Sequence, residues 1–185
     1  MSIIRPESDR DLVSSIEAEY KRYKSLGEMA FAQVEEGQLT QTFDASDNSI
    51  ATIVWHVSGN LRSRFTDFLT ADGEKPWRDR ESEFDSRAVS RDELTAKWAE
   101  GWKALFDALA PLRDADLSRT VTIRGQPLKV YEALHRSLAH VSYHVGQIVY
   151  LAKSFRGDEW SSLSIPRGGS TAYNQNPTRE KAPRA

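Results

Sequence analysis

The residues of this sequence best suited to chemistry are two histidines with helical spacing. His140 and His144 lie four positions apart in the segment LHRSLAHVSYHVGQIVYLAK, residues 134–153. At ~100° per residue, a helix separates them by about 40° around its axis, so both imidazoles can reach one metal ion. An apolar stripe beside them predicts that this helix packs on a core. The stripe consists of Val130, Leu134, Val141, Val145 and Ile148.

The composition restricts the ligands and metals that such a site can have. The chain has no cysteine, so a metal would be held by histidine, aspartate, glutamate or water. Imidazole ligands suit zinc, nickel, iron or copper and do not discriminate between them. Because imidazole must be neutral to bind, we expect metal affinity to fall below about pH 6.

A third histidine occupies a similar position on another predicted helix. His56 borders the apolar face of its helix, as His140 and His144 border theirs. Asn60 follows His56 by one turn, and Gln147 follows His144 by about one turn. Each amide has two interpretations: it hydrogen-bonds a metal-bound water or orients a ligand histidine, or it joins two helices.

Each of these histidines also has a structural interpretation, in which it is a hydrogen-bonded residue at the edge of the core. The spacing of His140 and His144 favours metal binding, because two neutral imidazoles at one core edge both need polar partners. His135 serves as a comparison. It lies five positions before His140, on nearly the opposite side of the helix, and is predicted to be a surface or packing residue.

Two arginines next to a tryptophan are candidates for substrate binding. Arg78 and Arg80 follow Trp77 closely, and arginine pairs bidentately with carboxylates, so they could hold an anionic group of a substrate. The alternative is a solvated loop in which they pair with nearby acidic residues. That alternative is favoured, with Glu81, Glu83 and Asp85 as the partners.

Four amphipathic segments predict the helices that would position these side chains. Residues 134–153 form the last of them, and the others run from Glu7 to about Val34, from a cap at Asp47–Ser49 to about Leu69, and from Ser90 or Arg91 to Leu109. A short β-hairpin is predicted over residues 119–130, and residues 71–90 form a long charged connection with a functional or covering role. Together these elements predict an all-α four-helix bundle.

The ends and the composition define the expected organisation and location. We expect one bundle domain over residues 1–174 and a flexible C-terminal tail over residues 175–185. The net charge of −2 gives no electrostatic reason to expect binding to nucleic acid or to an anionic membrane. The sequence has no apolar run of about 20 residues, and its first residues lack the core of a signal peptide. A cytoplasmic location is therefore expected.

Two motifs carry a resemblance to a known family. The segment WHVSGNLRSRF, which contains His56, together with HVSYHVGQ, which contains His140 and His144, resembles the DinB-like (DinB/YfiT-like) superfamily of metalloenzymes. The segments GEKPWRDRESEF and SIPRGGSTAYN resemble an uncharacterised bacterial subgroup of it. The likeness extends from helix one to about Asn174.

The resemblance implies a four-helix bundle in which His56, His140 and His144 hold one divalent metal, such as zinc, nickel or iron. It also implies a homodimer, and a small-molecule substrate used with a low-molecular-weight thiol. Three imidazoles leave coordination positions open, which is typical of catalytic rather than structural sites. With this open site, the resemblance implies a metal-dependent transferase or isomerase. The alternatives are a non-catalytic metal-binding or stress-response bundle, and a bundle with purely structural histidines.

Overall fold

Four long helices pack as a bundle in the computed structural model, which describes residues 9–44 and 46–178. They are α1 (Asp11–Phe31), α2 (Ile50–Phe65), α3 (Arg91–Leu109) and α4 (Val130–Arg156). A six-residue helix, α5 (Ser170–Gln175), follows near the C-terminal end. Short 3₁₀ turns lie at Glu36–Leu39, Glu81–Phe84, Asp114–Ser118 and Gly157–Glu159. The predicted all-α bundle is confirmed.

The core lies where the apolar faces of the four helices meet. Helix α2 packs against α3 and α4, and α1 packs against α4 and α3. Trp98 and Trp102 of α3 are completely buried at the centre, edge-to-face with each other. Tyr20 of α1 is also buried and donates a 2.8 Å hydrogen bond to the Leu134 carbonyl of α4, so its polar end is satisfied. Each helix therefore buries one face, as their periodicity predicts.

The helix starts follow from capping groups. Ser49 Oγ accepts from the Thr52 amide at the start of α2, and Ser90 forms a reciprocal capping box with Glu93 at the start of α3. Both starts agree with the prediction. Helix α1 has no cap from its own N-cap residue; instead, the Asp114 carboxylate accepts from the first backbone amides of the helix.

Two helices are shorter in the structure than their apolar patterns predict. Helix α1 ends at Phe31 rather than Val34, and its expected start at Glu7 lies outside the described residues. Helix α2 ends at Phe65 rather than Leu69, because Thr66 turns to extended backbone and Asp67 has a φ of +50°. The apolar pattern extends beyond α2 because Phe68 remains buried in the core without being helical.

Helix α4 is longer than its predicted range, residues 134–153. It begins at Val130, where the Glu132 side chain accepts from the Lys129 amide 2.7 Å away. It ends at Arg156 before Gly157, whose φ of +54° lies in the left-handed region that favours glycine. Both ends are thus set by local capping rather than by the apolar stripe.

The predicted β-hairpin joins α3 to α4. Strands β1 (Thr120–Ile123) and β2 (Gln126–Lys129) pair antiparallel, with Thr120 opposite Lys129. Arg124 and Gly125 form the two-residue turn with φ values of +55° and +72°. The Asp72 carboxylate accepts from both of their backbone amides, at 2.8 and 2.7 Å. The long connection between α2 and α3 therefore fixes the tip of the hairpin.

The chain after α4 contacts the bundle again. Trp160 and Leu163 pack against the core. Helix α5 was not predicted, because six residues are too few to show a helical apolar period. The predicted flexible tail lies mainly outside the described residues, which end at residue 178.

Candidate metal centre

Three histidines from two helices converge at one edge of the core. His56 comes from α2, and His140 and His144 come from successive turns of α4. One ring nitrogen of each lies within 4.8 Å of the other two. The Nε2 atom of His140 is 3.2 Å from Nε2 of His56 and 3.2 Å from Nε2 of His144. His56 and His144 are buried and His140 is partly buried, so the nitrogens face each other rather than solvent.

A buried carboxylate orients His56. The Nδ1 atom of His56 donates to Oε2 of Glu83 across 2.9 Å, and the Phe84 ring packs against the same imidazole. Glu83 lies in the 3₁₀ turn of the connection between α2 and α3. Arg78 donates to both oxygens of this carboxylate, from Nε to Oε1 at 2.8 Å and from Nη2 to Oε2 at 2.9 Å. The bidentate pair is buried, and it fixes both the carboxylate and the imidazole that depends on it.

Gly59 provides the space that this carboxylate occupies. It lies on α2, three residues after His56. A Cβ atom at position 59 would lie 2.1 Å from Oε1 and 2.7 Å from Cδ of Glu83. Such distances are far below an ordinary contact between non-bonded atoms, so a side chain on residue 59 would displace Glu83. The absence of a side chain at Gly59 thus lets Glu83, in the connection between α2 and α3, lie against α2.

Residues of α4 itself orient His144. Its Nδ1 donates to Oε1 of Gln147 across 2.8 Å. The ring of Tyr143 lies over the His144 imidazole at a centroid distance of 4.0 Å and is itself more than half exposed. Of the two interpretations of Gln147, the structure therefore has the contact with His144 rather than a bond between helices.

These partners determine which nitrogens carry protons. An ionised carboxylate can only accept, so the neutral form of His56 carries its proton on Nδ1 and presents a lone pair on Nε2. The same reasoning applies to His144, whose Nδ1 faces the Gln147 oxygen. When all three imidazoles are neutral, the only converging nitrogen that can carry a proton is therefore Nε2 of His140. Three imidazoles oriented in this way fit a divalent metal, which would accept a lone pair from each nitrogen.

Burial favours the neutral form of two of these imidazoles, those of His140 and His144. Desolvation, followed by the nearby His144 and His56, lowers the pKa of His140 to about 3. Desolvation also lowers the pKa of His144 to about 4, against the opposing hydrogen bond with Gln147. Burial raises the pKa of Glu83, but hydrogen bonds from His56 and Arg78 outweigh it and leave that pKa below its ordinary value. At neutral pH His140 and His144 are therefore neutral ligands, and Glu83 is ionised.

Residues 7–169 match the model of a family described as "Protein of unknown function (DUF1572)". The chain belongs to this family. A crystal structure described as the conserved protein of locus from Enterococcus faecalis is similar, with a TM-score of 0.60 over 83% of this chain and 100% of that one. At 16% identity, that likeness shows the fold alone. The comparison with curated proteins finds no match.

The other predicted site residues of this DUF1572 protein lie in different surroundings. His135, the comparison residue that was predicted to lie at the surface or in packing, is exposed next to the Tyr131 ring and is not among the clustered histidines. Arg80 is half exposed, pairs with Glu81 and lies over Phe84, so the structure does not bring it to the histidines. Arg78 is also paired, but its partnership with Glu83 is buried rather than solvated and supports His56.

The role of Glu83 was not predicted from the sequence. Glu83 was expected only as a loop partner for the arginines, because the path of residues 71–90 cannot be read from periodicity. One signal was available: Gly59 stands nearly one turn after His56, inside a helix that glycine disfavours. A glycine at such a position indicates that another group approaches the helix closely.

A cavity of about 320 Å³ opens beside the histidines of this DUF1572 protein. It lies between α2, the hairpin and α4, and His140 and Asn60 are part of its wall. Volumes of this size accept a small organic molecule. Asn60, predicted near the site, thus faces the same space as His140.

Among the described residues, no helix is both long enough and apolar enough to cross a bilayer.

Proposed function

We propose that this DUF1572 protein is a divalent-metal-dependent enzyme, with His56, His140 and His144 as the metal ligands, and that it is a DinB-like transferase or isomerase. One observation carries the proposal. Three Nε2 atoms converge while the Nδ1 atoms of His56 and His144 are held by Glu83 and Gln147. A ligand histidine that donates its second nitrogen to a carboxylate is a recurrent arrangement in metalloenzymes.

The donor set favours a catalytic site over a closed structural one. Three imidazoles occupy one side of an ion and leave positions for substrate. A divalent metal bound there supplies Lewis acidity and lowers the pKa of a coordinated water or thiol. Glu83 and Arg78 keep His56 in the tautomer whose Nε2 lone pair faces the other histidines. Burial keeps His140 and His144 neutral, and so ready to bind at neutral pH.

The cavity next to His140 supports an enzyme rather than a metal-storage or stress-response bundle. A purely structural or storage site needs no organic binding space, whereas this one adjoins a cavity of about 320 Å³. The resemblance of the histidine motifs to DinB-like proteins supports a low-molecular-weight thiol as cosubstrate. The same resemblance supports a homodimer, and the cytoplasm is the proposed location.

The proposal is tested by thiol consumption with a panel of electrophiles and isomerisable substrates, in the presence of zinc, nickel or iron. We expect activity that requires added metal, is lost in His144→Ala and persists in His135→Ala. His135 is the matched control because it lies on the same helix but away from the cluster. Activity that persists in His144→Ala would contradict the proposal. Metal binding without activity on the panel would favour the non-catalytic alternative.

A further inference from the structure

The cavity beside His140 has an apolar wall formed by two elements. Phe65 ends α2 and Phe68 follows it, and both side chains are buried in the core. Ile123 and Leu128 of the hairpin lie on the other side. These residues line the cavity together with the polar groups near the histidines. A ligand that fills this space would therefore bury an apolar portion against the hairpin and α2.

The charged residues of the wall are cationic. Arg64, Arg124 and Arg136 line the cavity, and none of the described residues that line it is acidic. Two of these arginines are already neutralised in part: Arg64 and Arg124 share the Glu74 carboxylate, which lies 3.3 and 2.8 Å from them. Burial raises the pKa of Glu74, but the two arginines outweigh this effect and hold that pKa below its ordinary value.

Arg136 differs from the other two. Within residues 9–44 and 46–178, no carboxylate forms an ion pair with its guanidinium. It lies on α4 four residues before His140, and both residues line the cavity. At 1.5 Å per residue, this spacing places the two about 6 Å apart along the helix. A small ligand can therefore contact Arg136 at one end and reach the histidine cluster at the other.

We propose that this cavity binds the substrate of the enzyme, a small molecule with a carboxylate or similar oxyanion on an apolar body, and that Arg136 binds the anionic group. The assignment rests on the proposed function for the nature of the reaction at the histidines. The binding of the anion does not depend on a metal. Arginine is suited to this role because its planar fork makes paired, charge-assisted hydrogen bonds to carboxylates.

Octanoate is the probe, with octanamide as its uncharged counterpart, and binding is measured by titration calorimetry. The full-length protein is treated with a chelator first, so that a metal cannot hold the carboxylate. Arg136→Gln removes the cation, and Gln126→Glu adds a negative charge to an exposed residue of the cavity wall. Arg22→Gln is the control, because Arg22 is an exposed arginine of α1 that pairs with Glu19 outside the cavity.

We expect octanoate to bind the wild-type protein about tenfold more tightly than octanamide, because a charge-assisted bond contributes at least this factor. Arg136→Gln should lose about tenfold in octanoate affinity and Gln126→Glu should also weaken binding, whereas Arg22→Gln should match the wild type. Octanamide affinity should stay the same in all four proteins. Circular dichroism verifies that the variants are folded, and both substituted cavity residues are exposed, so their replacement does not open the core.

Three results would overturn the assignment: no binding of octanoate, equal binding of octanoate and octanamide, or full octanoate affinity in Arg136→Gln. The octanoate experiment can succeed or fail independently of the proposed metal-dependent function. If the protein binds no metal but octanoate binding still depends on Arg136, the metal enzyme is wrong and the anion site stands. If metal binds at the histidines but octanoate affinity ignores Arg136, the reverse holds.

Discussion

The substitution Gly59→Ala tests whether Glu83 positions His56, a proposed metal ligand. A Cβ atom at this site lies 2.1 Å from Glu83 Oε1, so the carboxylate must retreat by about 1.3 Å to reach the 3.4 Å of an ordinary contact. Both Gly59 and His56 belong to α2. A retreat from α2 therefore also stretches the 2.9 Å bond from His56 Nδ1 beyond hydrogen-bond reach.

Two opposing energies determine the effect on stability. Alanine in place of glycine inside a helix stabilises the folded protein by up to about 1 kcal/mol. The lost charge-assisted hydrogen bond costs about 1.5–3 kcal/mol. The second effect is larger, so we expect the metal-free protein to be destabilised by about 0.5–2 kcal/mol. Metal affinity should fall about 10–100-fold, the usual effect of losing the partner of a ligand histidine.

The assay combines urea denaturation of the metal-free protein with zinc affinity measured by competition against a chromophoric chelator. Gly146→Ala is the matched control, since Gly146 is also inside a helix but a Cβ atom added there would meet no neighbouring group within 4 Å. We expect the control to gain stability and to bind zinc as the wild type does. If Gly59→Ala behaved like Gly146→Ala in both measurements, the role given to Glu83 would be refuted.

Three further predictions follow from the same contacts. Glu83→Gln should reduce zinc affinity about 10–100-fold in the chelator assay. Adding Gly59→Ala to Glu83→Gln should cause little further loss of zinc affinity, because both substitutions disturb the same contact. Fully additive losses would contradict this shared mechanism. The lowered pKa values of His140 and His144, about 3 and 4, mean that the unfolded chain binds more protons below about pH 6.5. The free energy of unfolding of the metal-free protein, measured with urea, should therefore fall as the pH is lowered from about 6.5 towards 4. The double variant His140→Ala/His144→Ala should show a shallower dependence on pH. Equal dependence in the two proteins would disprove this account. Hydrogen bonds from backbone amides lower the pKa of Asp72 to about 2. Asp72→Asn should therefore speed amide hydrogen exchange at the hairpin turn, as measured by NMR. Unchanged exchange would show that Asp72 does not stabilise the turn.

The sequence predicts the bundle well because its helices carry their own signals. Ser49 and Ser90 cap α2 and α3 where expected, and the apolar stripe of α4 is buried. The predicted ends are wrong where tertiary contacts override periodicity. Phe68 continues the apolar pattern of α2 but reaches the core from a turn, so the helix looks longer in the sequence than it is.

Some contacts of the candidate site could likewise be predicted from the sequence, and others could not. The pairing of His140 with His144 follows from helical geometry, which is local. The partnership of His56 with Glu83 joins residues 27 positions apart in the chain, through a connection that contains no α-helix or strand. The contact of Arg78 with an acidic neighbour was among the predicted alternatives, but its burial was not, because burial of a loop depends on the helices beneath it.

The central claim is that three histidines hold one metal ion, and metal content tests it most directly. The protein is purified without an affinity tag, incubated with zinc, nickel, iron or manganese, and analysed by mass spectrometry beside His56→Ala, His144→Ala and His135→Ala. We expect near-stoichiometric metal in the wild type and in His135→Ala, and its loss in the other two variants. Absence of metal from the wild-type protein after every incubation, or its full retention in His56→Ala and His144→Ala, would contradict the claim.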